Sequence, residues 1–265
     1  MISKLAYIDP KAKIGKNVTI EPFATIYGNV EIGDDTWIGP NSTIMDGARI
    51  GKNCRIFPGA VISAIPQDLK FEGEKTTAEI GNNTTIREAV TINRGTKAKN
   101  KTVVGNNCLL MAYVHIAHDC IVENNAIIVN SVQVAGEVEI GESAIIGGSS
   151  AIHQFVKIGK HAMISGGSLI RQDVPPFVTA AHEPVSFVGV NSTGLKRRNF
   201  DNKQIEAIQD AYRFIFQEKL NRTNALNKIK EELELTDDIK SIVNFIENSK
   251  RGIIKGAKER KQNNL

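Results

Sequence analysis

The residues best suited to chemistry stand in Ala112-Tyr113-Val114-His115-Ile116-Ala117-His118-Asp119-Cys120, where two of the chain's five histidines lie three residues apart and a carboxylate follows the second. Histidine takes and returns a proton near neutral pH. A neighbouring carboxylate can fix its tautomer and support the imidazolium. His118 is therefore a candidate general base and Asp119 its partner. Successive strand residues point apart, so the pair can act together only if a corner of the chain joins them. Isolated histidines such as His161 and His182 are expected to be solvated and nothing more.

The segment belongs to a repeat. Every sixth position from Ile8 to Ile170 is Ile, Val or Leu in 25 of 28 cases, broken only at Asp68, Glu74 and Ala98. Small residues recur four positions later, and Cys54, Cys108 and Cys120 all fall in that register, which marks them as interior fillers. Asn or Asp often precedes the small residue (Asn17, Asp35, Asn53, Asn83, Asn107, Asn125) and Gly often follows the aliphatic one (Gly15, Gly33, Gly51, Gly81, Gly105). Both types suit corners at positive φ. Hexapeptide periodicity predicts a parallel β-helix with three hexapeptides per triangular coil.

Two excursions interrupt the pattern, near 63–79 and 96–103. The first carries Gln67, Asp68, Leu69 and Lys70 and is a candidate site loop; the second reads as a solvated basic loop. After Ile170, Val174-Pro175-Pro176 closes the prism and 177–198 read as irregular chain. A capping box at Asp201 and Gln204 opens a helix with Ile205, Ile208, Tyr212, Ile215 and Phe216 on its apolar face. Further helices are expected near 223–234 and 237–249, and a frayed tail over 255–265. The division is thus a β-helix over 1–190 and a helical domain over 191–265.

Coil geometry extends the histidine motif. Residues 18 apart stack on adjacent coils, so His118, Gly136 and Gln154 form one column, and Asp119, Glu137 and Phe155 the next. His153 joins the same neighbourhood. Gly136 is placed to offer a bare backbone N–H to a developing oxyanion. A base and an oxyanion donor are the parts needed for acyl transfer to a hydroxyl without a covalent enzyme intermediate.

Charge divides along the chain. Residues 1–190 carry 17 Lys+Arg against 18 Asp+Glu, whereas 191–265 carry 16 against 11. The basic C-terminal third suits an anionic partner or a solvated helical surface. No apolar run approaches the roughly 20 residues that span a bilayer. Three unpaired cysteines and no leader sequence fit a reducing, cytoplasmic setting.

The chain resembles the UDP-N-acetylglucosamine O-acyltransferases, a family of hexapeptide-repeat acyltransferases. The resemblance is carried by Gln67-Asp68-Leu69-Lys70, Ile92-Asn93-Arg94-Gly95-Thr96, His115-Ile116-Ala117-His118-Asp119, His153-Gln154-Phe155, Gln172-Asp173-Val174-Pro175-Pro176, Gly189-Val190-Asn191 and Gly194-Leu195-Lys196-Arg197-Arg198. It implies an all-β left-handed parallel β-helix, although the general crossover rule suggests the opposite hand, followed by a small α-helical domain. It also implies a homotrimer with active sites between subunits. The implied reaction moves a (3R)-hydroxyacyl chain from acyl carrier protein to the 3-hydroxyl of UDP-N-acetylglucosamine, the first step of lipid A synthesis.

On that resemblance His118 is the general base, Asp119 its neighbour and Gly136 the oxyanion donor. Gln67, Asp68 and Lys70 contact substrate, and His115, His153, Gln154, Asn191, Arg197 and Arg198 surround the nucleotide sugar and phosphopantetheine. Gly166 occupies the chain-length ruler position, open for a long acyl chain. No cofactor or metal is implied beyond the carrier's phosphopantetheine, and no nucleic acid or stable membrane insertion. Glu137 departs from the family, whose well-studied members have a histidine there, and a carboxylate stacked over Asp119 should repel it unless a cation intervenes or one of the two takes a proton. Thr193 replaces a glutamate.

Three other readings stay open. The related UDP-3-acyl-glucosamine N-acyltransferases share the prism and a histidine base but carry an extra N-terminal uridine-binding domain, for which a repeat starting at Ile8 leaves no room. A zinc hydratase would hold its metal with three histidines on the same prism. A noncatalytic β-helix scaffold with a basic partner-binding tail needs no histidine cluster.

Overall fold

A computed structural model describes residues 1–218 and 220–257. The hexapeptides form a left-handed parallel β-helix whose short, mostly two-residue strands stack into three sheets of nine, eight and eleven strands, the last counting three strands that follow the hexapeptides. The first face runs through Ile8, Ile26, Ile44, Ile62, Ile92, Ile116, Val134, Ile152 and Ile170. The second carries Ile14 through Val104, Val122 and Ile158, and the third Ile20 through Leu110, Ile128 and Ile164. From Ile20 onward these aliphatics are buried and face one another inside the prism. A single coil leaves them wet, so only the stack stabilises them, at about 25 cal/mol per Å² of apolar surface removed from water.

The corners separate two causes that the sequence merges. Asn17, Asp35, Asn53, Asn83, Asn107 and Asn125 do adopt positive φ, where a short amide or carboxylate side chain is tolerated. Glycines following the aliphatic positions do not. A Cβ on Gly33 would sit 2.6 Å from the Gly51 carbonyl carbon, and one on Gly105 2.8 Å from the Asn124 amide nitrogen. Close stacking of coils, not backbone conformation, excludes a side chain there. Cys54, Cys108 and Cys120 are buried. Burial raises their thiol pKa values, that of Cys120 to about 12.

Within the hexapeptide coils strand partners lie 18 residues apart except where the excursions intervene: on the first face Ile62 pairs with Ile92 and Ile92 with Ile116, and the other two faces show the same offsets. The excursions thus insert whole hexapeptides and keep phase. Both are shorter than the lost pattern suggests, because strands extend through Val61–Ala64, Thr77–Ile80 and Lys101–Val104. Both leave the prism at the corner between the first and second faces, the corner that carries His118.

The stretch expected to be irregular is instead an antiparallel pair. Val178–Ala181 continues the third face parallel to Met163–Ile164, and Ser186–Val190 pairs back on it. The missing six-residue period concealed it, since the chain doubles back rather than completing a coil. A short helix α1 (Ser192–Lys196) follows, then α2 (Asn202–Phe216), α3 (Arg222–Glu232) and α4 (Asp237–Glu247). The Asp201–Gln204 capping box is present. Phe187 stacks on Phe216, and the buried Tyr212 hydroxyl donates to the Pro176 carbonyl, which ties α2 to the end of the prism. Lys255–Gly256 adds a last strand beside Ser186–Phe187. Of the tail expected to fray, residues 258–265 lie outside the described residues.

Candidate active site

His118 sits at the corner between the first and second faces, 8% exposed, and Asp119 beside it is fully buried. The corner solves the problem of opposed side chains. Asp119 takes φ 59°, which swings its carboxylate back so that Oδ2 lies 2.8 Å from His118 Nδ1. Oδ1 and Oδ2 also accept from the Thr96 amide at 3.0 and 3.1 Å, Oδ2 from the Thr96 hydroxyl at 2.7 Å, and Oδ1 from the Lys99 amide at 3.1 Å. The Asp119 amide donates to Thr102 Oγ1. A carboxylate so surrounded by donors accepts from Nδ1 as well. The imidazole hydrogen is then on Nδ1, and Nε2 holds the free lone pair.

Nε2 points into the space above the corner. A Cβ added to Gly136 would lie 2.6 Å from it, so the glycine is required for the ring to stand where it does. Asp68, on the first excursion, brings Oδ2 to 3.9 Å from Nε2. Asp68 Oδ1 accepts from the Lys70 amide, and the Gln67 and Lys70 side chains are exposed beside it. His118, Asp119, Gly136 and Asp68 therefore converge, with Thr96 beneath them.

The remaining candidates spread outward. On the first face Thr91 Oγ1 lies 2.7 Å from His115 Nδ1, and burial pushes the His115 pKa down. His153 is exposed two coils further on, with its Nδ1 3.1 Å from the Gln154 carbonyl oxygen and 3.3 Å from an Arg251 nitrogen. Gln154 is half-buried on the His118 column. Gly166 is exposed at the corner between the third and first faces, where a Cβ would approach the Gly148 carbonyl oxygen at 3.1 Å.

Asn191 and Arg198 belong to another edge. The Asn191 amide donates to the His161 carbonyl, and Arg198 donates to the Ser143 and Gly194 carbonyls. His161 and Ser143 turn the corner between the second and third faces. Exposed Arg197 lies beside them. Within one chain this edge and the His118 edge stay apart.

Asp119 and Glu137 stand at stacked corners, where the Glu137 amide donates to the His118 carbonyl. The second excursion, read from sequence over 96–103 as a solvated basic loop, spans 94–100 and supplies the backbone and hydroxyl donors that hold Asp119. Glu137 lines a cleft of about 430 Å³ in which Lys99, Lys157, Lys250 and Arg251 accompany two further carboxylates, Glu139 and Asp173. Sequence reasoning named Thr96 only within a motif and gave it no role, although a signal existed: with one hexapeptide inserted, the residue beneath Asp119 is Gly95, so the loop emerges directly under the dyad. A larger cleft of about 760 Å³ between the second face and α4 lies away from His118. Among the described residues, no three or more His, Cys, Asp or Glu side chains gather as a metal site. No helix among them is long and apolar enough to cross a membrane.

A triangular prism of hexapeptide coils with a histidine and carboxylate at one corner defines a hexapeptide-repeat acyltransferase. The bacterial transferase hexapeptide family matches residues 11–36, 29–64 and 101–136, and the family described as UDP N-acetylglucosamine O-acyltransferase, domain 2, matches 173–254. An acyl-[acyl-carrier-protein]–UDP-N-acetylglucosamine O-acyltransferase of Thermodesulfovibrio yellowstonii is 46% identical over 95% of this chain and 98% of its own. That of Chlorobaculum parvum is 62% identical over 73% of this chain and 74% of its own. The crystal structure of a UDP-N-acetylglucosamine acyltransferase from Bacteroides fragilis, 53% identical, superposes with a TM-score of 0.95 over 96% of this chain and all of that one. The chain belongs to the acyl-[acyl-carrier-protein]–UDP-N-acetylglucosamine O-acyltransferase family.

Proposed function

We propose that the protein transfers a (3R)-hydroxyacyl chain from the phosphopantetheine of acyl carrier protein to the 3-hydroxyl of UDP-N-acetylglucosamine, the first step of lipid A biosynthesis, with His118 as general base. The observation that carries this reading is the tie between His118 Nδ1 and Asp119 at 2.8 Å, which leaves Nε2 free in the space beside Gly136. Nε2 takes the proton of the 3-hydroxyl as its oxygen attacks the thioester carbonyl. The resulting oxyanion is stabilised by the Gly136 N–H. When the tetrahedral intermediate collapses, the carbon–sulfur bond breaks and the imidazolium returns its proton to the departing thiolate. The 3-O-acyl sugar nucleotide and free carrier thiol remain, and no external cofactor takes part.

Asp119 holds the ring and supports its positive charge. Asp68, with Gln67 and Lys70, contacts the sugar. Arg197 and Arg198 suit phosphate groups, to which guanidinium binds in bidentate fashion, and Asn191 lies with them. His115, His153 and Gln154 line the path of the donor, and Gly166 bounds the acyl chain. The net positive C-terminal domain complements an acidic carrier.

The same reading makes the protein a cytoplasmic homotrimer. The edge with Asn191 and Arg198 reaches the edge with His118 only when a second copy supplies it. Leu109, Ile127, Ile145 and Met163 face outward from the third face, half-buried in the single chain, which suits burial between copies. Purified protein incubated with UDP-N-acetylglucosamine and a panel of hydroxyacyl carrier proteins is expected to yield a singly acylated sugar nucleotide by mass. Acylation of UDP-3-acyl-glucosamine instead, or of neither, overturns the reading.

A further inference from the structure

The pentapeptide Ile92-Asn93-Arg94-Gly95-Thr96 reaches both sides of the His118 imidazole. On one side the Asn93 amide donates to the Ile65 carbonyl, while Arg94 donates to the Asp46 carbonyl and lies over the Phe71 ring. These contacts tie down the loop that brings Asp68 to Nε2. On the other side Thr96 meets the carboxylate that holds Nδ1. We propose that Thr96 is a positioning residue for the transfer: its hydroxyl fixes the Asp119 carboxylate, and the carboxylate fixes the base.

The direction of the hydroxyl hydrogen is set by its neighbours. The Ala98 amide donates to Thr96 Oγ1 at 3.2 Å, so the hydroxyl's own hydrogen is directed to Asp119 Oδ2 at 2.7 Å. Oδ2 receives the imidazole Nδ1–H on its other side, so the hydroxyl and the ring bracket one oxygen. Asp119 is fully buried and Thr96 only 7% exposed, which removes water as a substitute donor. Gly95 makes the approach feasible: a Cβ there would fall 2.3 Å from the Lys101 amide nitrogen, so only glycine lets the loop lie against the next strand. Without the hydroxyl, the carboxylate keeps amide donors on both oxygens but loses its shortest contact to the oxygen that aims the ring. Hydrogen bonds to charged groups are among the stronger ones, and leaving a buried acceptor short of one is costly.

This inference rests on His118 acting as the base, and the test separates the two. Thr96→Val keeps the side chain's shape and removes only the donor. The expected result is a kcat lowered about 10-fold or more with KM for both substrates unchanged, and recovery in Thr96→Ser. In an Asp119→Ala background, Thr96→Val should add no further loss, because the hydroxyl then has nothing to position. Wild-type kcat in Thr96→Val, alongside an inactive His118→Ala, overturns the positioning role and leaves the base intact. A loss of equal size with and without Asp119 also overturns it, since that would be a general packing effect. Turnover by His118→Ala overturns the underlying reading instead.

Discussion

His161 shows what burial does to a histidine that serves no proton transfer. It stacks on Phe177 at 5.6 Å and meets Phe200 edge-on at 5.2 Å, and its Nδ1 is buried without a hydrogen-bond partner. Burial, reinforced by Arg198 and Lys160, pushes its pKa down to about 4 from an ordinary 6.5. The expectation from sequence that it is merely solvated is therefore corrected: it is a packed wedge under the loop that holds Asn191. The unfolded chain protonates first, so its neutral form favours folding fully above pH 6.5. That stability is lost progressively as pH falls from 6.5 toward 4. Burial lowers the His115 pKa too, so His115 contributes in the same direction. Urea unfolding followed across this range should show His161→Gln losing much of the acid-side decline. An identical decline in wild type and variant would contradict the assignment.

At the scale of elements, the prism was legible because its rule is arithmetic. The interior of a narrow coil admits an aliphatic at one position and a small residue four later, and Ile8 to Ile170 obeys it almost without exception. The stacking of Gly136 on His118 followed from the same count. What remained hidden depended on where the count pauses. Loops 65–76 and 94–100 have no period, so their contribution to Asp119 and to His118 Nε2 appears only when the inserted hexapeptides are mapped to a corner. The pair Val178–Ala181 and Ser186–Val190 escaped for a related reason. Its strands alternate over a few residues and pair antiparallel, a pattern too short to stand out beside the hexad. Helices α2 and α4 were readable from their caps, Asp201 and Thr236, since a side chain that accepts from a free backbone N–H marks a helix start chemically. Amino-acid type alone could not tell a glycine needed for positive φ from one needed for close stacking.

At the scale of the whole molecule, the candidate residues fall on two edges of the prism, which the proposed homotrimer would bring together. If a site combines His118 of one copy with Arg198 of the next, neither residue's loss can be compensated within its own chain. Mixing them is different. Trimers co-assembled from equal amounts of His118→Ala and Arg198→Ala chains contain intact sites wherever an unaltered His118 faces an unaltered Arg198. Random assembly should restore about a quarter of wild-type turnover from two variants that are each inactive alone. Co-assembled trimers no more active than the separate variants would place both residues in the site of a single chain.

The central claim is that His118 accepts the proton of the attacking hydroxyl. Its most direct measurement is acyl transfer from a hydroxyacyl carrier protein to UDP-N-acetylglucosamine by His118→Ala, with circular dichroism and native mass compared to wild type. Loss of a general base at this position predicts turnover lowered about a thousandfold or more, with fold and assembly intact. A folded His118→Ala enzyme that keeps substantial turnover would contradict the account.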